Sequence, residues 1–401
     1  MYIQLEENYF TFDETFFSKV MVKKIRRYDL DWLRVIVFGL LIFYHVGMFF
    51  VPWGWHIKNN VVYDWIRWPM LFLNQWRLPI LFVISGMGTF YALSYRNIWQ
   101  FNQERIKRLL IPLLFGMLFI VPPQIYFERL TNNQFLGSYF SYIKTEAFIG
   151  VYPEGNISWH HLWFLPYLLI FSIILSPFFI KIKRSAPKFT SWIQRQIQKP
   201  NGLYLFIIPL YLIESLIEPF FDITHALIDD WFNFINSLTF FFFGFVLIAA
   251  GKEFWKSLDR IKSKALVIGV IAFSIQLFIW IQGKDSYLIH FSEALIKVTN
   301  LWSWILVIFG YGAKFLNTKN EVLVYCNRAV YPFYILHQTI TIVIGYYLMN
   351  LDWGLLPKFI VLVIGTFGGS WMIYHWIILK IPVLHPFFGL KKSYTQEDGS
   401  S

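Results

Sequence analysis

Two ionisable residues, Arg34 and His45, stand eleven positions apart in the apolar run DWLRVIVFGLLIFYHVGMFF. Charge at membrane depth is costly and usually functional. Eleven residues are almost three helical turns, so a helix puts both side chains on one face, roughly 16 Å apart along the axis. If the helix starts on the inner side, His45 reaches the outer half of a bilayer core about 30 Å thick. The next apolar run returns, and Arg77 in NQWRLPILFVISG falls at a similar depth. An imidazole shielded from water next to a guanidinium is what a general base and an oxyanion stabiliser need.

Each residue also has an ordinary structural role to set beside this. A membrane histidine can simply hydrogen-bond across helices, Arg34 can snorkel to lipid phosphate, and Asp31 can cap the helix or pair with Arg34. Arg105 and Arg108 in NQERIKRLLIP share a face at the start of the third run, with Lys107 between them and Arg96 upstream. Two arginines at a helix N-terminus suit a phosphate, and they equally suit anchoring at the cytoplasmic surface. His160 and His161 precede WFLPYLL. Adjacent histidines point apart on a helix and chelate poorly, so no metal site is expected. His161 and Trp163 are candidates for binding a polar acceptor, since indole faces stack on sugar rings and also build aromatic belts. Glu214 in LYLIESLIEPF and His337 in YPFYILHQTI are buried ionisable candidates for a polar interior. Lys297 and Lys358 fall near outer helix ends and are expected to snorkel.

The elements that position these groups follow from composition. The 401 residues are 57% hydrophobic, 21% aromatic and only 15% charged, where a soluble domain carries about a quarter charged. The apolar surplus forms ten runs, near 31–50, 70–91, 109–127, 162–182, 203–220, 232–250, 265–281, 294–312, 329–349 and 355–379, each close to the length that spans a bilayer. The chain is therefore expected to be all-α and polytopic, with about ten transmembrane helices. About 26 of the 35 basic residues fall inside if both termini are cytoplasmic, which sets the expected orientation. The loop KIKRSAPKFTSWIQRQIQKP is basic and EPFFDITHALIDD acidic, in keeping with alternate sides. The net charge of +11 thus reflects topology and anionic lipid, and gives no case for nucleic acid.

No cleavable signal peptide is expected, because the first run is long and lies beyond about thirty polar residues. Residues 1–28 read as a cytoplasmic segment, 29–382 as one integral domain and 383–401 as a cytoplasmic tail. Cys326, the single cysteine, is expected in an inner loop and excludes an intramolecular disulfide. The one long outer connection, about 128–161, is polar and aromatic and suits a lid or binding loop. GxSxG, HExxH and Walker motifs are absent, which removes support for common hydrolase, metalloprotease and P-loop readings.

Together these motifs resemble the family 3 membrane acyltransferases over nearly the whole chain. LDWLRVIVFGLLIFYH is similar to the family's first helix with its Arg and His, FVISG at 82–86 to the end of the second, and RIKR at 105–108 to its RxxR. HLWFLPYLL and NRAVYPFYILHQTIT resemble later family helices. QWRLPILFVISG, HLWFL and ILKIPVLHPFFG are most similar to the branch containing periplasmic glucan succinyltransferases. The resemblance implies a bacterial inner-membrane O-acyltransferase whose donor, acyl-coenzyme A, binds from the cytoplasm and whose acceptor is an outer carbohydrate hydroxyl. It implies His45 as catalytic, Arg34, Arg105 and Arg108 as coenzyme ligands, and no permanently bound cofactor. The acyl group, acetyl or succinyl, stays open, as does oligomeric state. The rival expectation is a secondary transporter or flippase with Glu214 and His337 as a proton relay.

Overall fold

Helix makes up 78% of the structure, a computed structural model that describes residues 26–283 and 287–390. Among the described residues no strand forms. Most of the expected cytoplasmic N-terminal segment, 1–25, and the tail from 391 onward lie outside the described residues.

Nine helical stretches among the described residues are long and apolar enough to cross a membrane, so this is a multi-pass membrane protein. The first is α1 (Tyr28–Met48) and the second α2 (Arg67–Ala92). Then come α3 (Ile98–Phe115) and α4 (Pro122–Thr131), joined through a π-helical turn at Gly116–Ile120, and the short α5 (Tyr139–Thr145). The middle of the chain holds α6 (Phe164–Ser185), α7 (Pro187–Gln198), α8 (Ile207–Leu216) and α9 (Trp231–Ala249). Two long helices, α10 (Lys252–Gln282) and α11 (Tyr287–Phe315), form a hairpin ahead of α12 (Glu321–Leu348) and α13 (Leu355–Met372). The ninth predicted run, 329–349, lies in α12, which is as long as the others but less apolar and falls outside the nine. Its buried face carries His337, Gln338 and Thr341.

α1 runs through the middle of the bundle against α2, α11, α12 and α13. Its neighbour α2 packs closely on α9. A Cβ at Gly86 would overlap the Phe241 carbonyl, and one at Gly244 the Val83 carbonyl, so the two glycines let the backbones touch. The glycine of FVISG therefore serves this crossing. The third span is broken where Val121 N–H bonds back to the Gly116 carbonyl at 2.8 Å. Thr339 Oγ1 of α12 donates to the Ile120 carbonyl at 2.6 Å. Such π turns often accompany functional sites. Here the turn aims Gln124 inward.

Several expectations are corrected. α10 begins at Lys252, thirteen residues before its predicted apolar run, because an amphipathic stretch extends the helix. α7 lies within the predicted basic loop and buries Ile193 and Ile197. Cys326 sits in the first turns of α12, half-buried, and not in a loop. Lys358 does not snorkel: it is buried and donates to Asn59 Oδ1 at 2.6 Å, Asn60 Oδ1 at 3.1 Å and the Met349 carbonyl at 3.2 Å. Beyond residue 382, Pro382–Phe388 forms a 3₁₀ turn with His385 and Phe388 buried.

Candidate active site

His45 lies in the last turn of α1, and His337 stands opposite it on α12 with no exposed surface. His45 Nδ1 and His337 Nε2 are 2.7 Å apart. The far nitrogen of His337, Nδ1, is 2.8 Å from the Tyr334 carbonyl and 3.1 Å from that of Phe333. A carbonyl only accepts, so His337 Nδ1 carries the proton and its Nε2 is the acceptor. His45 therefore donates through Nδ1, which leaves its Nε2 with an open lone pair. The side chain lines a cavity of about 1010 Å³. An imidazole held in one tautomer by a second group is the arrangement a general base requires.

Arg77 lines the same cavity. It is 5% exposed, its guanidinium lies 3.3 Å from the ring centre of Tyr44, and Nη2 donates to Asn74 Oδ1 at 2.9 Å. Among the described residues its Nε and Nη1 find no partner and no carboxylate pairs with it. A buried guanidinium without a counter-ion offers a ready place for an anion.

His161, Trp163 and Glu214 also line this cavity. His161 donates from Nε2 to the Ile335 carbonyl at 3.0 Å and lies edge-on to His337 at 5.2 Å, so it braces the helix that carries His337. Trp163 packs on His225 at 4.1 Å. Glu214 is buried and ion-paired with Lys297, so Lys297 turns into the cavity wall and does not snorkel. The long connection after α4 supplies Tyr152, Trp159 and His160 to the cavity wall. The loop before α9 is pinned by Asp230, which accepts from Tyr167 and Asn233 side chains and from Thr224 N–H. It covers part of the cavity with His225. Burial, opposed in part by Asp230, pushes the His225 imidazole down to about 4, so it is neutral near pH 7.

Arg34, Arg105 and Arg108 are not in the cavity wall. They gather at the opposite end of α1, close enough for their charges to act on one another. Arg34 donates to Asn327 Oδ1 at 3.3 Å and lies 3.6 Å from Asp31. Arg105 donates to Thr89 Oγ1 at 3.1 Å, and Arg108 is 3.6 Å from Glu104. Between this basic end and His45, Phe38 meets Tyr334 edge-on at 5.5 Å. This aromatic contact forms the cavity floor. The sequence reading missed Gln124, Gln338 and His56. Gln338 Nε2 is 3.1 Å from His56 Nε2 and 3.0 Å from Gln124 Oε1. The two glutamines are polar residues inside predicted apolar runs, the signal by which they are found.

Comparison with known proteins bears on this arrangement. Residues 27–375 match the family model described as an acyltransferase domain. The chain is 24% identical to glucans biosynthesis protein C of Salmonella paratyphi B over 394 residues, which cover 93% of this chain and 97% of that protein. The proteins of the same name from Salmonella dublin and Salmonella gallinarum are likewise 24% identical, with the same coverage. No solved structure matches the chain.

Proposed function

The chain belongs to this acyltransferase family, and from that premise we propose that it moves an acyl group from cytoplasmic acyl-coenzyme A to a hydroxyl of an extracytoplasmic carbohydrate. The relatives' name points to a glucan as acceptor, and the bacterial inner membrane is the setting in which both substrates can meet. The single observation that carries the reading is the His45–His337–Tyr334 chain, which assigns the His45 proton to Nδ1 and leaves Nε2 free to accept, on a side chain that lines a cavity of about 1010 Å³.

In this reading His45 Nε2 takes the acceptor hydroxyl proton as the oxygen attacks the thioester carbonyl. His337 accepts the Nδ1–H bond and stabilises the imidazolium that forms. The tetrahedral oxyanion is held by Arg77, and its collapse expels the coenzyme thiolate, which receives the proton from His45. A transient acyl-histidine is the variant in which Nε2 attacks the thioester first. The arginines at the basic end hold the coenzyme phosphates. A narrow pantetheine arm then has to pass the Phe38–Tyr334 contact to bring its thioester to His45. The acyl group is acetyl or succinyl.

The transporter reading took Glu214 and His337 as a proton relay; Glu214 pairs with Lys297 and His337 meets His45, and the family match supports the transferase instead. Purified protein incubated with labelled acetyl- or succinyl-coenzyme A and a glucan fraction should yield acylated glucan by mass spectrometry. Stimulated release of coenzyme without any acylated carbohydrate contradicts the proposed acceptor class.

A further inference from the structure

Away from His45, three donors from distant parts of the chain converge. His56 follows α1, Glu128 belongs to α4, and His160 precedes α6. One ligand atom from each lies within 4.8 Å of the others. His56 Nδ1 and Glu128 Oε2 are in direct hydrogen-bond contact. His160 Nε2 is buried and has no partner among the described residues.

The other heteroatom of each donor is held from behind. Gln124 Oε1 lies 3.3 Å from His160 Nδ1, and accepting there fixes the tautomer that leaves the His160 Nε2 lone pair bare. Tyr152 OH donates to Glu128 Oε1 at 3.0 Å, leaving Oε2 for the cluster. Gln338 Nε2 lies 3.1 Å from His56 Nε2 and donates to it as it does to Gln124 Oε1, so without an ion the His56 proton sits on Nδ1, facing Glu128. Metal-binding imidazoles and carboxylates are oriented by outer partners in this way. Glu128, His56 and His160 are otherwise an uneconomical group to bring together beneath a loop, and His160 is held at the unusual backbone angle φ 40°.

We propose that His56, Glu128 and His160 bind one divalent ion of the zinc type at the cavity wall, toward the end of α1 remote from Arg34. Two imidazoles and a carboxylate suit zinc, whereas magnesium and calcium prefer oxygen shells. The two imidazoles lie face to face with ring centres 4.4 Å apart. One ring turns about its χ2 to bring both nitrogens to about 2.0–2.1 Å from the ion. The ion takes the place of the His56 Nδ1 proton, which passes through solvent to Nε2 as the Gln338 amide turns over to accept it, and the ion ties together the three segments that carry the ligands. Because His56 and His160 line the cavity, the fourth position faces it. There a water or a hydroxyl of a bound molecule completes the shell. His160 thus finds its partners in His56 and Glu128, and not in its neighbour His161.

This inference is independent of the acyl-transfer reading and is tested without it. Full-length protein in detergent, stripped with a chelator, is titrated with Co²⁺ while visible absorption is recorded. One equivalent per chain with tetrahedral-type bands is expected. Zn²⁺ should displace it and raise the melting temperature, and millimolar Mg²⁺ should do neither. His160→Ala should weaken binding at least tenfold. Glu128→Gln should do the same, which covers the case in which the first variant does not elute as a monodisperse species. His375→Ala, remote from the cluster, should bind as wild type. Absence of a stoichiometric Co²⁺ spectrum, wild-type affinity in either ligand variant, or stabilisation by Mg²⁺ matching that by Zn²⁺ overturns the proposal.

Discussion

A proton placed on one nitrogen decides what His45 can do. The Tyr334 carbonyl fixes the tautomer of His337, and His337 in turn fixes that of His45. His337 therefore acts through His45, so His337→Ala should lower kcat by about 10²-fold, within the range seen for losses in acid–base catalysis. The KM for acyl-coenzyme A should stay nearly constant. Steady-state kinetics decide this, and an unchanged kcat removes His337 from the chemistry. A second residue-level consequence concerns His225, whose folded value of about 4 lies below the ordinary histidine value of 6.5. The unfolded chain then binds more protons between these values, so stability falls as pH drops from 6.5 toward 4. His225→Asn should flatten that part of a melting-temperature profile, and a profile identical to wild type contradicts the assignment. The sequence could mark Arg34, His45, Arg77 and His337 because a charge or imidazole in an apolar run stands out. It could not pair His45 with His337, since the contact spans 292 positions and depends on how α1 and α12 rotate.

At the scale of elements, apolar run length made the helices legible, and polar extensions made their ends illegible. The run at 265–281 gives no hint that α10 starts at Lys252, because an amphipathic stretch has no hydropathy signal. The break at Gly116–Ile120 is equally hidden, for it depends on Thr339 from another helix taking a freed carbonyl. Gly86, by contrast, stood in a quotable motif, but only its partner helix reveals why. Gly86→Leu forces α2 away from α9 and should destabilise the fold by roughly 1–3 kcal/mol or more, as overpacking does. A lower melting temperature of the detergent-purified variant checks this, whereas Gly39→Leu, where a Cβ meets nothing within 4 Å, should be tolerated.

For the molecule as a whole, charge patterning and helix number agree on a multi-pass bundle with its basic cluster at one end of α1 and its cavity toward the other. In the proposed reading the basic end is cytoplasmic, the arginine cluster is assigned to the coenzyme and the cavity to the acceptor. Replacing both Arg105 and Arg108 by Ala should weaken acyl-coenzyme A binding at least tenfold and blunt its salt dependence. Calorimetry in detergent reads this directly, and unchanged affinity moves the donor site elsewhere. The aromatic floor formed by Phe38 and Tyr334 was not foreseeable from the spacing of Arg34 and His45, which suggests an uninterrupted stripe. Central to the whole account is that His45 performs the transfer. Single-turnover assays of purified wild type and His45→Ala, with labelled acyl-coenzyme A and glucan, measure that step. Acylated glucan is expected from the wild type and none above background from a variant that still binds the donor; transfer by His45→Ala at a wild-type rate would mean that another group performs the chemistry.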